Sequence, residues 1–391
     1  KPAEVEAIEA FLLSQAEFRH NVITHHCEIR WTEEAGFLPL TDRDVNTLWG
    51  RMNKTVGRVY LTDIYNVIHS EFVPLFNPFQ SYFDHLPSWD GVSDPIGDLA
   101  DTVHVKSDQA EFRDYFRKWF VGILPALLDD TVVNHEILVL IGEQGLYKTT
   151  WFNFLLPPEL RCYFYTKTNS DRLNKDDLFS LTEFALICFE ELDGMRPAEL
   201  NQLKAMVTMP YVNERAAYGR NKERHPHIAS FCGTGNNVQF LTDPTGNRRW
   251  LPFEVSQIRD PHLHAIPYEL VYSQAYALWK SGFCHWFSQE EIRKLNMHNS
   301  RFEVPNLEED LIRTHFRKPF EGEAGIFVTA ADILEQISSC LRYPLSPNKI
   351  GRIMAGLEFE SIRYKGKRGY IAVKKTGEDI DRERRSGALG L

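Results

Sequence analysis

The stretch ILVLIGEQGLYKTTWFNFL, Ile137 to Leu155, constrains the fold more than any other part of the chain. Its first five residues are apolar without alternation, as in a strand covered on both faces within a parallel sheet. Its last eight have helical spacing, and the loop between them holds Gly142 and Gly145 just ahead of Lys148 and Thr149. A buried strand, a glycine loop and a helix in this order set backbone N–H groups at the strand's carboxyl end, where phosphates fit. A lysine there reaches the β and γ oxygens, and a hydroxyl sits on magnesium. The expected ATP loop is therefore Gly142, Glu143, Gln144, Gly145, Leu146, Tyr147, Lys148, Thr149 and Thr150, with Mg2+ held through Thr149. Tyr147 stands where such loops carry glycine. If the position needs positive φ, the tyrosine costs on the order of 1–2 kcal/mol.

Two further apolar runs end in polar residues and read as neighbouring strands. TEFALICFEE brings Glu190 and Glu191 to a strand end, where a P-loop ATPase needs one acid for magnesium and another to orient the attacking water. HIASFCGTGNN brings Asn236 or Asn237 to a similar position, within reach of a γ-phosphate or the water. The loop DPTGNRRW offers Arg248 and Arg249, either of which suits the charge developing on a neighbouring subunit's ATP. Strands, helices and glycine loops in this order predict a mostly parallel α/β sheet with its site at the carboxyl ends of the strands.

A chain of 391 residues exceeds one ordinary core, since domains run to roughly 100–200 residues. Helical EVEAIEAFLLSQ, alternating HNVITHHCEIRW and helical TDRDVNTLWGRM, capped by Thr41 or Asp42, predict a small α+β domain over 1–75. The aromatic and proline-rich FNPFQSYFDHLPSWDG reads as an ordered connector, and a helix is expected over 109–128. After RRWLPFEV the chain turns helical to about Ser300. TAADILEQISSCL, then SPNKIGRIMAGL with Ser346 as cap, then two strands around Gly366 to Gly369, give the helix, helix, hairpin order of a winged helix. The expected partition is 1–75 accessory, 76–130 helical lead-in, 131–257 ATPase core, 258–305 helical connector, 306–376 winged helix and 377–391 tail.

The net charge of −10 argues against a surface coated for indiscriminate polyanion binding and leaves room for local basic clusters. Six scattered cysteines without a C-x-x-C pair suit free thiols of the cytoplasm rather than a disulfide framework. No apolar run spans a membrane, and Lys1 in place of Met suggests a piece of a longer protein. His20, His25, His26 and Cys27 lack a second cluster at zinc spacing. His225 and His227 read as structural, and no paired-aspartate primase motif is present.

The run from ELDGMRPAELNQLKAMV through DPTGNRRWLPFEV, with FNPFQSYFDHLPSWDG before it, resembles the virulence-associated protein E family over roughly Asn77 to Val255. The segment after about Asn306 resembles the winged module of some members. The resemblance implies an AAA+-like ATPase core related to superfamily 3 helicases, found with replication genes of phages and mobile elements. It implies a homo-oligomeric ring, commonly a hexamer, hydrolysing ATP between subunits while moving on single-stranded DNA. By position Lys148 and Thr149 match the Walker A lysine and hydroxyl, and Glu190 and Glu191 the Walker B acids. Asn236 matches the sensor asparagine, and Arg248 or Arg249 the arginine finger. Lys204, Arg215, Arg220 and Lys222 fall in the segment whose basic residues touch DNA in the channel. Arg363, Lys365, Lys367 and Arg368 lie on and beside a wing that suits phosphates. The other readings kept open are a nucleotide-gated assembly or DNA-binding switch with little turnover, and a switch in a defence or replication-control complex whose protein partner docks on the winged helix.

Overall fold

The computed structural model describes residues 4–168, 175–214, 223–242, 247–304, 307–320, 322–338 and 347–380, and is of mixed α/β class. It divides into two compact units, Lys1–Glu303 and Val304–Leu391. Within the first, α1 (Val5–Gln15) leads into a sheet of β1 (Ala16–Asn21), β2 (His26–Trp31) and β3 (Leu38–Pro39). β1 and β2 are antiparallel around a turn in which His25 has a φ of 56°, so HNVITHHCEIRW is two strands and not one. The Thr41 side chain caps α2 (Asp42–Thr55), and Asp44 returns the bond to the Thr41 N–H; this capping box fixes the start of the helix. α3 (Leu61–Ile68) and β4 (Leu75–Phe76) complete this part, with Leu12, Leu48, Met52 and Ile64 in a core of its own.

The segment expected as a plain connector contains a helix, α4 (Pro78–Asp84), because Asn77 caps it and Pro78 takes the first position, where no N–H is needed. After α5 (Pro95–Ala100) and β5 (Val103–Val105), α6 (Gln109–Leu128) starts at the Asp108 cap. Phe112, Phe116 and Phe120 recur every fourth residue and are fully buried with Trp119, whose indole N–H donates to the Phe231 carbonyl at 2.9 Å. Each such aromatic contributes about 2–3 kcal/mol by burial, enough to seat the helix on the sheet.

That sheet is built from β5, β6 (Ile137–Ile141), β7 (Phe164–Lys167), β8 (Leu186–Phe189), β11 (Ser230–Gly235) and β12 (Trp250–Ile258), in the order β5-β12-β6-β11-β8-β7. Apart from antiparallel β5 at one edge, all neighbours are parallel. β6 alternates between two cores. Leu138 and Leu140 face α6, α7 (Lys148–Phe154) and α10 (Tyr268–Lys280), whereas Ile137, Val139 and Ile141 face α8 (Lys175–Glu183) and α9 (Pro197–Val207). Helices on both faces are why β6 is apolar throughout. β9 (Tyr211–Glu214) and β10 (Glu223–Pro226) form a separate antiparallel pair, and α11 (Gln289–Asn299) follows α10.

β12 is the strand that the sequence hides, because Pro252 sits inside it. β5 covers β12 only from Val255 onward, so at Pro252 the missing N–H faces no partner strand. The Pro252 carbonyl instead accepts a bond from His298 Nε2 of α11 at 2.6 Å.

The second unit holds α12 (Leu307–His315), β13 (Phe316–Arg317), β14 (Ile326–Val328), α13 (Ala330–Ser338), α14 (Pro347–Gly356), β15 (Ser361–Tyr364) and β16 (Lys367–Lys374). β16 pairs antiparallel with β13, β14 and β15 over a core containing Ile312, Ile333, Ile350 and Met354. The β15–β16 turn has two residues, Lys365 and Gly366, both at positive φ (49° and 76°), as tight hairpins require. Ser346 lies outside the described residues; Pro347 opens α14. Among the described residues no helix is long and apolar enough to cross a membrane.

Candidate functional site

β6 lies between β12 and β11, both later in the chain, so the crevice beyond its carboxyl end is a switch point of the sheet, where ligands of open α/β sheets bind. The loop from Gly142 to Tyr147 occupies it. A Cβ on Gly142 would stand 2.9 Å from the Val255 carbonyl oxygen, and Gly145 has a φ of 85°, so each glycine has its own reason to be there. The Gly142 N–H donates to the Gly235 carbonyl at 3.1 Å and fastens the loop to β11.

Tyr147 is left-handed, with φ 60° and ψ 18°, and its ring stays 42 % exposed at the mouth of the crevice. The position therefore does require positive φ, and the tyrosine carries the strain that glycine would avoid. Tyr147→Gly is expected to stabilise the chain by about 0.5–1 kcal/mol, the strain relief less the added freedom of the unfolded glycine. Urea unfolding of the two proteins measures this; a loss of stability would mean that the phenol ring holds neighbouring structure in place.

Gln144 to Thr150, Glu190, Glu191, Thr234, Gly235 and Asn236 line a cavity of about 370 Å³. The Lys148 ammonium, on a residue only 8 % exposed, donates to the carbonyls of Gly142 at 2.7 Å and Glu143 at 2.8 Å, and more distantly to Asn236 Oδ1 at 3.4 Å. Burial pushes its pKa down, with the nearby Asp193 carboxylate opposing. Thr149 Oγ1 donates to Glu190 Oε1 at 2.8 Å, and the Glu190 N–H is anchored on the Lys167 carbonyl. Glu191 takes a left-handed φ of 54° at the start of a 3-10 turn over Leu192–Gly194.

Asp193, within that turn, escaped sequence reading. Its two carboxylate oxygens accept the N–H groups of Asn236 at 3.2 Å and Asn237 at 3.0 Å. It thereby ties the end of β11 to the acidic strand end and orients Asn236 toward Lys148. Its signal was the Asp-Gly pair separated from the two glutamates by Leu192 alone, a turn acid two positions beyond the expected catalytic pair.

A Thr hydroxyl beside one carboxylate is an oxygen pair suited to magnesium, which is held in phosphate sites by one or two protein groups together with substrate oxygens. Among the described residues no group of three or more His, Cys, Asp or Glu could hold an ion unaided. The residues present therefore fit an ion that arrives with a phosphate chain.

Arg248 and Arg249 lie elsewhere, on a 3-10 turn (Asn247–Arg249) just before β12. Trp250 pairs with Ile137, at the start of β6, whereas the glycine loop follows Ile141. The strand between them spans roughly 13 Å, so the arginines flank the opposite edge of the sheet from their own loop. The turn is firmly held: Asn247 Nδ2 donates to Glu303 Oε1 and Asn299 Nδ2 to the Asn247 carbonyl, each at 2.8 Å. Arg248 is exposed and Arg249 half-buried. Burial and then repulsion by Arg248 lower the Arg249 pKa.

Of the basic residues expected to touch DNA, Lys204 lies on α9 and is buried, 8 % exposed. Little of its side chain is open to a strand of DNA in this conformation. Arg215, Arg220 and Lys222 lie outside the described residues, in the segment joining β9 to β10. On the C-terminal hairpin, Arg363, Lys365, Lys367 and Arg368 are all exposed. Arg363 and Arg368 are direct cross-strand partners, an unfavourable like-charge pair that an anion would relieve.

Residues 84–304, more than half of the chain, match the family model of the virulence-associated protein E-like domain. No curated protein matches the chain. Among solved structures, the apo structure of the NrS-1 C terminal region (305–718) is similar over 95% of this chain and 99% of that one, at 11% identity and a TM-score of 0.49. The A form apo structure of the same region covers the same shares at 12% identity and a TM-score of 0.47.

Proposed function

The chain belongs to the virulence-associated protein E-like domain family, and from that premise we propose that it is an ATP-hydrolysing motor on single-stranded DNA, serving replication of a phage or mobile element. The observation that carries the reading is the convergence of Lys148, Thr149, Glu190 and Asn236 on one cavity beyond the carboxyl end of β6. In this reading the first unit contains a P-loop ATPase core and the second is a winged helix.

ATP is the substrate. The backbone N–H groups of the loop and the Lys148 ammonium receive the β and γ phosphates, the ammonium exchanging its two carbonyl partners for phosphate oxygens. Thr149 and Glu190 would hold Mg2+, which when bound supplies neutralising charge for the triphosphate. Glu191 orients a water for in-line attack and takes its proton as the bond to the β–γ bridging oxygen breaks. Asn236, fixed through Asp193, contacts the γ-phosphate. An arginine of the Arg248–Arg249 turn reaches the site of an adjacent copy in a homo-oligomeric ring. The basic segment between β9 and β10, with Arg215, Arg220 and Lys222, follows the DNA, and the Lys365 hairpin lies along phosphates.

The test is magnesium-dependent phosphate release with and without single-stranded DNA over a range of protein concentrations. Turnover is expected to rise several-fold with DNA and to lose that stimulation between about 50 and 200 mM salt, as phosphate contacts do. One observation favours a second reading: the strained Tyr147 at the loop. Tight ATP binding with no phosphate release would make the site a nucleotide-gated assembly switch instead.

A further inference from the structure

A second and larger cavity, about 740 Å³, is lined by residues of β1 and β2, of α4, of the segment around Tyr163 and of the end of α8. One part of its wall already houses a cation. The Arg19 guanidinium lies 3.6 Å from the ring centre of Phe76 and 4.1 Å from that of Phe37, with Nε 2.5 Å from Glu28 Oε2. Aromatic faces with a carboxylate at the edge are how proteins desolvate a guanidinium or an ammonium.

Among the described residues, the rest of the wall repeats that composition without a lysine or arginine. Tyr82 and Phe184 present aromatic surface, and Glu159, Glu183 and Glu269 present carboxylates. The Tyr82 hydroxyl oxygen is buried and has no hydrogen-bond partner among the described residues. Burial and then the fields of Glu159 and Glu269 keep that phenol protonated. Glu183 is half-buried at the last position of α8, where the helix dipole disfavours an anion. Burial raises its pKa, and only the imidazoles of His26 and His225 act in the other direction. A carboxylate kept where both burial and the helix oppose its charge weakens the fold, and a positively charged guest would reverse that cost.

We propose that this cavity is a receptor for an organic cation, an alkylammonium or guanidinium group, presented by a free polyamine or by the lysine or arginine side chains of a basic peptide. Aromatic walls take the apolar stem, and Glu159, Glu183 and Glu269 take the charge.

The full chain is titrated calorimetrically with spermidine and, separately, with a blocked Arg-Gly-Arg-Gly-Arg peptide. One-to-one saturable binding of at least one probe is expected, weakened about tenfold or more by Glu183→Gln, whose carboxylate is half-buried, and less by Glu159→Gln with Glu269→Gln, whose residues are exposed. Glu290→Gln, which removes a charge from α11 and not from the cavity, is expected to leave it unchanged. Thermal unfolding of Glu183→Gln is expected at or above the temperature of the parent, which separates lost binding from lost folding. Saturation by spermidine alone identifies a free polyamine, and by the peptide alone a protein segment. No saturable binding of either probe, or equal weakening by Glu290→Gln, overturns the proposal.

Discussion

Phosphate release by Lys148→Ala is expected to fall by on the order of a thousandfold, with the unfolding midpoint within a few degrees of the parent. Among the described residues lining the cavity beyond β6, Lys148 alone carries a cation, so in the proposed reaction its removal leaves the charge that develops on the γ-phosphoryl group without that neutralising partner. Folding should be spared for an electrostatic reason. Burial holds the Lys148 pKa down, so the folded chain binds this proton less readily than the unfolded chain does. At every pH below the folded pKa the charged lysine therefore costs stability, and alanine removes that cost. The carbonyls of Gly142 and Glu143 that lose their donor lie beside a water-accessible crevice and can be hydrated. Full turnover in this variant would exclude the loop as the catalytic site. Loss of turnover accompanied by global unfolding would show that the lysine is structural.

Much of this site is legible in the sequence because its parts obey local rules. A five-residue apolar run can only be covered on both faces, which made β6 a central strand, and Gly145 answers to one backbone angle. Glu190 and Asn236 could be placed because each closes a buried strand. What stayed hidden depends on partners far away in the chain. Pro252 argues against a strand until one sees that β5 stops short of it and that His298 takes its carbonyl. Asp193 reads as a turn residue until its carboxylate meets the N–H groups of Asn236 and Asn237, more than forty positions on. Lys204 looks like one of a basic series, yet helical phase turns it inward beside Leu200 and Leu203. Sequence pattern shows what a residue is fit for; packing decides whether the solvent, or a ligand, ever reaches it.

Geometry also sets the second large effect. The turn bearing Arg248 and Arg249 flanks the amino end of β6, a full strand length from the glycine loop of the same chain. A guanidinium fixed there through Asn247, Asn299 and Glu303 cannot serve the site of its own subunit without breaking those bonds. It can serve an adjacent copy if the copies pack head to tail, the arrangement that closes into rings. The double variant Arg248→Ala with Arg249→Ala is then expected to lose on the order of a thousandfold in turnover while binding ATP as the parent does. Mixing it with Lys148→Ala distinguishes this from a simple structural loss. Where a copy with an intact loop meets a copy with an intact arginine turn, a complete site forms, although neither variant is active alone. Random assembly of equal amounts would restore about a quarter of the parent rate, because one in four contacts combines the two intact halves. A mixture as inactive as its components would place both defects within one subunit and remove the case for shared sites. The single variants then assign the role: Arg248, exposed, is expected to carry the larger loss, and Arg249, half-buried, the smaller.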